Sequence, residues 1–298
     1  MIKENPKISI LMCVYNEERF IRDAINSVLS QSYTNFELII INDGSDDNTS
    51  NIIKEYSNDS RIKIYSPGRI GKIKANNLAF TKSNGDFLCY FSGDDLMSQD
   101  SLEKRIKPIN DIFDKPAISF CRLITFSSNK KHDGIIIPRN KNKGNSTSGC
   151  QLFNRNFANL IFPIPEFLGN EDMWPTQYAN YYPEVITKNI SDIGLRYRIH
   201  SNNSSSKVDS FDKKTEGMHN RFIVYKIFLD KYKKILSQNN IDKLEALSLA
   251  EELRYNKKSL SILFISDLTL TEKIRFIFYS NRFLYLIRKK MFSFFSGW

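Results

Sequence analysis

Two acids close an apolar run: Asp94 and Asp95, in Phe87-Leu88-Cys89-Tyr90-Phe91-Ser92-Gly93-Asp94-Asp95. Upstream, Phe36-Glu37-Leu38-Ile39-Ile40-Ile41 ends in Asn42-Asp43-Gly44-Ser45. Short apolar runs bounded by turn formers predict buried strands, so each strand delivers carboxylates at its carboxyl end. In an open α/β sheet, ligands bind in the crevice outside those ends. Carboxylate oxygens are hard donors that suit Mg²⁺ or Mn²⁺, and such ions share their shell with substrate phosphates. Two adjacent acids repel unless something cationic joins them. The chemistry indicated is capture of a metal-bound nucleoside diphosphate.

The elements that must position these acids alternate. The apolar spacing predicts strands over 8–14, 36–41, 61–65 (edge-like), 86–91 and 117–126. Between them it predicts helices over 17–30, 46–56 (capped by Ser45 or Asp46), 71–81 and 98–113. This alternation means parallel strands joined by right-handed crossovers. A basic, polar stretch over 127–148 reads as a surface excursion, and 151–161 as a short helix or turn. A helix over 172–181, capped by Asn170 or Glu171, precedes strands over 184–190 and 195–199. After a Ser/Asn-rich linker at 201–207, residues 214–298 carry helical periodicity with no proline. The expectation is a doubly layered α/β domain over 1–210 and a helical extension over 211–298.

Bulk properties bound the partners. Of 298 residues, 41% are hydrophobic, enough for a sizeable core. The net charge of +10 points to an anion: nucleic acid, an anionic membrane or a phosphorylated substrate. Cys13, Cys89, Cys121 and Cys150 form no CxxC pair, and three lie in strand-like runs, which favours reduced core thiols and a reducing compartment. The apolar run near the amino terminus lacks a cleavage site of the signal-peptide kind. No uncharged stretch approaches the roughly 20 residues that span a bilayer.

Four motifs in order then resemble glycosyltransferase family 2: Val14-Tyr15-Asn16-Glu17-Glu18, Asn42-Asp43-Gly44-Ser45, Gly93-Asp94-Asp95 and Glu171-Asp172. The resemblance covers about residues 7–205. It implies the GT-A fold, a Rossmann-like and mostly parallel sheet flanked by helices. It also implies inverting transfer from a nucleotide-activated sugar, most simply a UDP-sugar. It places Val14, Tyr15, Asn16 and Glu17 at the nucleotide and Asp43 on the uracil N3–H. Asp94 would face the ribose and the ligand waters, and Asp95 would be the direct ligand of Mn²⁺ or Mg²⁺. Asp172 would be the general base, with Glu171 beside it. The sequence departs from the family at Asn42 and Gly93, where members often have aspartate.

Tyr197-Arg198-Ile199-His200-Ser201-Asn202-Asn203-Ser204 resembles a further segment of bacterial members. Strand alternation puts Arg198 and His200 on one face, so Arg198 could meet the diphosphate and His200 complete the metal shell. The segment with Lys72, Lys74 and Asn77 lies where the family contacts the nucleotide. Trp174 and Tyr178 could stack on an acceptor sugar, although core packing is the simpler reading. The QxxRW motif of processive members is absent, which favours single-sugar transfer.

The carboxyl-terminal 27 residues, 272–298, hold six basic residues, one acid and nine aromatics. Leu284, Ile287, Met291, Phe295 and Trp298 share one helical face, with Arg282, Lys289, Ser293 and Ser296 opposite. That is the pattern of one amphipathic helix on an anionic membrane. The expected setting is cytoplasmic, peripheral on the inner face of the membrane, in surface-polysaccharide assembly with a glycan or lipid-linked acceptor. Two rivals differ in class. A sugar nucleotidyltransferase should carry a glycine-rich basic loop after its first strand, where this chain has the acidic Glu17-Glu18. A nucleic-acid-binding protein should cluster basic and aromatic residues on its sheet, whereas here they cluster in the tail.

Overall fold

A computed structural model describes residues 4–200 and 210–290 and divides them into two compact units. The first runs from the amino terminus to Glu166 and resumes over Glu184–His200. The second takes Phe167–Pro183 and the helices beyond residue 210. The segment with Glu171 and Asp172 thus clusters with the carboxyl-terminal helices rather than with the sheet.

The first unit is a nine-stranded sheet: β1 (Ile8–Val14), β2 (Phe36–Asn42), β3 (Ile62–Tyr65), β4 (Phe87–Phe91), β5 (Leu96–Met97), β6 (Ala117–Phe126), β7 (Ile136–Ile137), β8 (Gln151–Asn154) and β9 (Ile186–Arg198). Its order is β3-β2-β1-β4-β8-β6-β9-β5, with β7 on β6. β3, β2, β1 and β4 are mutually parallel, and β8 is antiparallel to both β4 and β6. Helices α1 (Ile21–Leu29), α2 (Thr49–Lys54), α3 (Lys72–Lys82), α4 (Ser101–Ile106) and α5 (Arg155–Ile161) complete this unit. Every residue of β2 and β4 is buried, as continuous apolar runs in a covered parallel sheet require. The one charged residue among them is Glu37 on β2. Burial works against its charge, but the Asn84 N–H, Lys63, Ser9 and Lys7 donate to its carboxylate and hold it at about 2.

Four expectations about this unit need correction. Residues 151–161 are not only helical, because β8 fills the centre of the sheet before α5 begins. The two strands expected over 184–199 are one strand, β9, lying parallel to β6 with register shifts opposite Phe120–Leu123. The helix expected over 98–113 is α4 followed by a 3₁₀ turn at Lys107–Ile109, where Pro108 supplies no N–H to continue it. α2 starts late. Asn48 stands at its cap without a side-chain capping bond, and the expected caps, Ser45 and Asp46, serve the Asn16 loop instead.

The second unit contains α6 (Met173–Tyr181), α7 (Phe211–Phe222), α8 (Val224–Tyr232), α9 (Gln238–Tyr255), α10 (Leu270–Phe278) and α11 (Arg282–Lys290). Trp174 and Tyr178 of α6 are fully buried and pack edge-on against Phe228 of α8, at 5.8 and 5.1 Å between ring centroids. The Tyr178 hydroxyl also bonds that of Tyr232. Buried aromatic pairs of this geometry add to their area burial. These two rings are therefore core, not a sugar platform. The tail differs too. Residues 272–290 form not one helix but α10 and α11, broken where the Asn281 side chain caps the Leu284 N–H. Phe283 and Leu286 are the outward apolar residues, and Tyr285 is buried. Residues 201–207, and Met291, Ser293, Phe295, Ser296 and Trp298 of the expected amphipathic face, lie outside the described residues.

Candidate functional site

At the carboxyl end of β2, Asp43 is 4% exposed and densely hydrogen-bonded. Its Oδ1 accepts from the backbone N–H groups of Ile70 (2.7 Å) and Gly71 (2.9 Å), and its Oδ2 from Arg69 (2.8 Å). The Arg69 guanidinium lies 3.4 Å from the centroid of the Tyr15 ring. Gly44 makes this approach possible. Its φ is +72°, and a Cβ there would stand 2.7 Å from the Arg69 nitrogen. A carboxylate has acceptor capacity beyond three bonds. Asp43, Arg69 and Tyr15 therefore form a shelf of acceptor, cation and ring that suits the edge and face of a planar heterocycle.

The loop that ends β1 is locked to the same shelf. Asn16 adopts φ +56°, a conformation that asparagine tolerates better than most residues. Its side chain and Asp46 exchange two hydrogen bonds, 2.6 and 3.0 Å, and its N–H donates to Ser45 Oγ. Val14 accepts from the Asp43 N–H, and the Glu17 N–H donates to Thr49.

At the carboxyl end of β4 stands the acid pair. Asp95 is 2% exposed and accepts the Arg198 N–H at 2.9 Å. Arg198 also donates from Nε to the Asp94 carbonyl and lies between the rings of Phe20 and Phe126, 4.5 Å from each. Its guanidinium thus holds the acid loop, a role that sequence reading did not assign to it. β9 ends at Arg198, so His200 lies past the strand. Its Nε2 still stands 3.2 Å from Asp94 Oδ2. Burial, then repulsion from Asp94, pushes Asp95 well above the ordinary carboxylate range. Burial, then Asp94 and Asp47, pushes Glu17 up to about 8.

This donor set fits a divalent cation. It offers hard oxygens and an imidazole, and burial beside Asp94 makes Asp95 resist ionising without a counter-charge. Among the described residues, no three acid, histidine or cysteine side chains already form a closed metal cluster. The arrangement is an open acid pair with a histidine alongside.

In the second unit, Glu171 and Asp172 are both buried, at 4% and 7% exposure. Asp172 occupies the cap position of α6 without making a side-chain capping bond. Its Oδ2 instead accepts from Arg221 of α7 at 2.6 Å. The cap expected at Asn170 or Glu171 therefore falls at Asp172, whose side chain does not make the capping bond.

The other expected residues have structural partners. Lys74 faces Glu166 at 3.4 Å, and Asn77 exchanges two hydrogen bonds with the main chain of Ile164. Sequence reading missed Arg69 and Arg221. Arg69 sits in Pro67-Gly68-Arg69-Ile70-Gly71, a loop whose glycine density was its one signal. Arg221 lies on a helix whose periodicity says nothing about which cation meets an acid.

A sequence model of glycosyl transferase family 2 matches residues 9–159. An uncharacterized glycosyltransferase of Haemophilus influenzae is 41% identical over 103 residues, which are 34% of this chain and 41% of that protein. A second Haemophilus influenzae glycosyltransferase is 26% identical over 302 residues, covering 92% of this chain and 91% of that one. The chain spans less than half the length of the first curated relatives it matches. Among solved structures, Staphylococcus aureus TarS 1-349 in complex with UDP-GlcNAc superposes with a TM-score of 0.63 at 19% identity, covering 93% of this chain and 82% of that one. The mannosyltransferase PcManGT of Pyrobaculum calidifontis, in complex with GDP-Man and Mn²⁺, gives 0.62 at 13% identity, covering 97% and 88%. At these identities the likeness bears on the fold, and that fold is GT-A.

Proposed function

The chain belongs to glycosyl transferase family 2, and from that premise we propose that it moves a sugar, with inversion, from a UDP-sugar to a hydroxyl of a glycan or lipid-linked glycan. The observation that carries this reading is the pairing of two features at the carboxyl ends of β2 and β4: the Asp43 shelf and the crowded Asp94–Asp95 loop. The shelf suits a base that presents a ring N–H, and the loop suits a diphosphate that arrives with its metal.

In this reading Asp43 accepts the uracil N3–H, while Tyr15 and Arg69 support the ring. Val14, Asn16 and Glu17 shape the same wall. Asp95 and His200 would hold Mn²⁺ or Mg²⁺, with Asp94 beside them, and the bound ion would supply positive charge opposite the departing diphosphate. Arg198 keeps this loop in place. Asp172 takes the proton of the acceptor hydroxyl as its oxygen bonds to the anomeric carbon and the bond from that carbon to the diphosphate breaks. The nucleoside diphosphate leaves with the bonding electrons.

A donor screen tests this directly. UDP-sugars and GDP-sugars are offered with Mn²⁺, with Mg²⁺ and with EDTA, because solved relatives hold both UDP-GlcNAc and GDP-Man. Turnover with a UDP-sugar and a divalent ion is expected. UDP should raise the melting temperature more than ADP, and Asp43→Ala should erase that difference, since adenine has no matching ring N–H. Equal shifts with UDP and ADP would remove Asp43 from the nucleotide site.

We further propose a peripheral position on the inner face of the cytoplasmic membrane, serving surface-polysaccharide assembly. Among the described residues, no helix is long and apolar enough to cross a membrane. Phe283 and Leu286 point outward on α11 beside a strongly basic sequence, which suits an anionic surface. The full chain should bind anionic vesicles at low salt, and a version ending at Thr271 should not. Indifference of the full chain to such vesicles would end this part of the reading.

A further inference from the structure

The second unit does more to Asp172 than carry it. Trp174 and Tyr178 pack α6 against Phe228 and Tyr232 of α8. The Thr176 hydroxyl donates to the Asp172 carbonyl at 2.7 Å. The preceding loop rests on α7, where a Cβ at Gly169 would meet Asn220 at 3.5 Å, ordinary contact distance. The backbone of Asp172 is therefore fixed from two helices. What remains is the side chain's own rotation about χ1 and χ2, and Arg221 Nη2 donates to its Oδ2 at 2.6 Å. An ionised pair of this kind is among the stronger and more directional hydrogen bonds. Engaging one oxygen also sets where the other stands.

We propose that Arg221, on α7 of the helical extension, is the positioning residue for the base. This rests on the reading of Asp172 as general base. Arg221 lies outside the residues matched by the family model, so the family motif delivers the nucleotide side while this chain's own α7 orients the proton acceptor. Orientation matters because a misplacement of about 1 Å can cost roughly a hundredfold in rate. Arginine suits the task, since its planar fork fixes a carboxylate where lysine offers a point charge.

The test uses the full-length chain with the UDP-sugar found in the screen. Arg221→Ala should lower kcat by about ten- to a hundredfold, with donor affinity measured by calorimetry unchanged. Guanidinium chloride at millimolar, non-denaturing concentration should restore part of the turnover of Arg221→Ala and none of Asp172→Asn. Adding Arg221→Ala to Asp172→Asn should cost little more, because the two act as one unit. Arg221→Lys keeps the charge and should be intermediate, and it serves as the test if the alanine variant fails to fold. Unchanged kcat in Arg221→Lys and Arg221→Ala would overturn the proposal. So would a loss that neither lysine nor guanidinium restores, since that is the mark of a packing role. If the wild-type chain transferred no sugar from any donor, the underlying reading would fail instead. If Asp172→Asn is inactive while the Arg221 variants are normal, only the positioning role falls.

Discussion

The two units treat their acids in opposite ways. In the sheet unit, Glu17, Asp94 and Asp95 crowd together, and burial and repulsion make ionisation of Asp95 and Glu17 difficult. In the helical unit, Asp172 is just as buried but has an arginine against it. In the first arrangement the nearby Arg198 does not offset the crowding of Glu17 and Asp95. In the second, Arg221 lies directly on the carboxylate. On the proposed reading the crowded acids serve cation binding, and Asp172, held by its own cation, acts in one geometry.

The sharpest way to break this contrast is to neutralise one acid in each unit. Asp95→Asn should take turnover to background and abolish the response to Mn²⁺ and Mg²⁺, since the loop loses its proposed direct ligand. Asp172→Asn should cost on the order of a hundredfold or more in kcat while donor affinity stays near wild type. Steady-state kinetics beside donor calorimetry separates the two. Full activity of Asp95→Asn, or activity in EDTA, would remove the metal from the reading. Collapse of donor affinity in Asp172→Asn would move that acid to the nucleotide side.

A smaller effect sharpens the comparison inside the sheet unit, where Glu37 is a buried acid that does have its own cations. Its carboxyl is held at about 2 against an ordinary 4.5, so the folded state prefers it ionised. The stability it contributes is present above about pH 4.5 and is lost as pH falls toward 2. The loss should be roughly 2–3 kcal/mol, discounted because Lys7 and Lys63 are partly wet. Urea unfolding across that range should show the decline in wild type and a flatter profile in Glu37→Gln. Parallel profiles would mean that the lysine pair does not hold the charge.

How much of this was legible in the residues depended on whether the signal was local. Asp43 and Asp95 could be read because a run of apolar residues ending in acids predicts both a strand and what hangs at its end. β8 was not, because Gln151 and Asn154 flank only two apolar residues, and a four-residue strand gains its identity from β4 and β6 on either side. The cap of α2 was misplaced because Ser45 and Asp46 look like caps in isolation but are taken by Asn16, some thirty positions earlier. The helices after residue 210 were foreseeable from the lack of proline. That Trp174 and Tyr178 pack on α8, and that Arg221 reaches Asp172, were not, since periodicity names a buried face without naming its partner.

The Arg198 N–H that pins Asp95 is 103 positions later in the chain, and β5, next to the acid pair, pairs with β9. During synthesis the four parallel strands β1 to β4 are all made by residue 91, and the Asp43 shelf needs nothing later than Gly71. The acid loop is different. It must wait through the whole of β6, β8 and their connections before its partner emerges from the ribosome. Long loops cost little extra entropy to close, but they are slow to find. The assembly order is therefore built into the strand order: the nascent chain can form the Asp43 shelf well before the Asp94–Asp95 loop can be fixed.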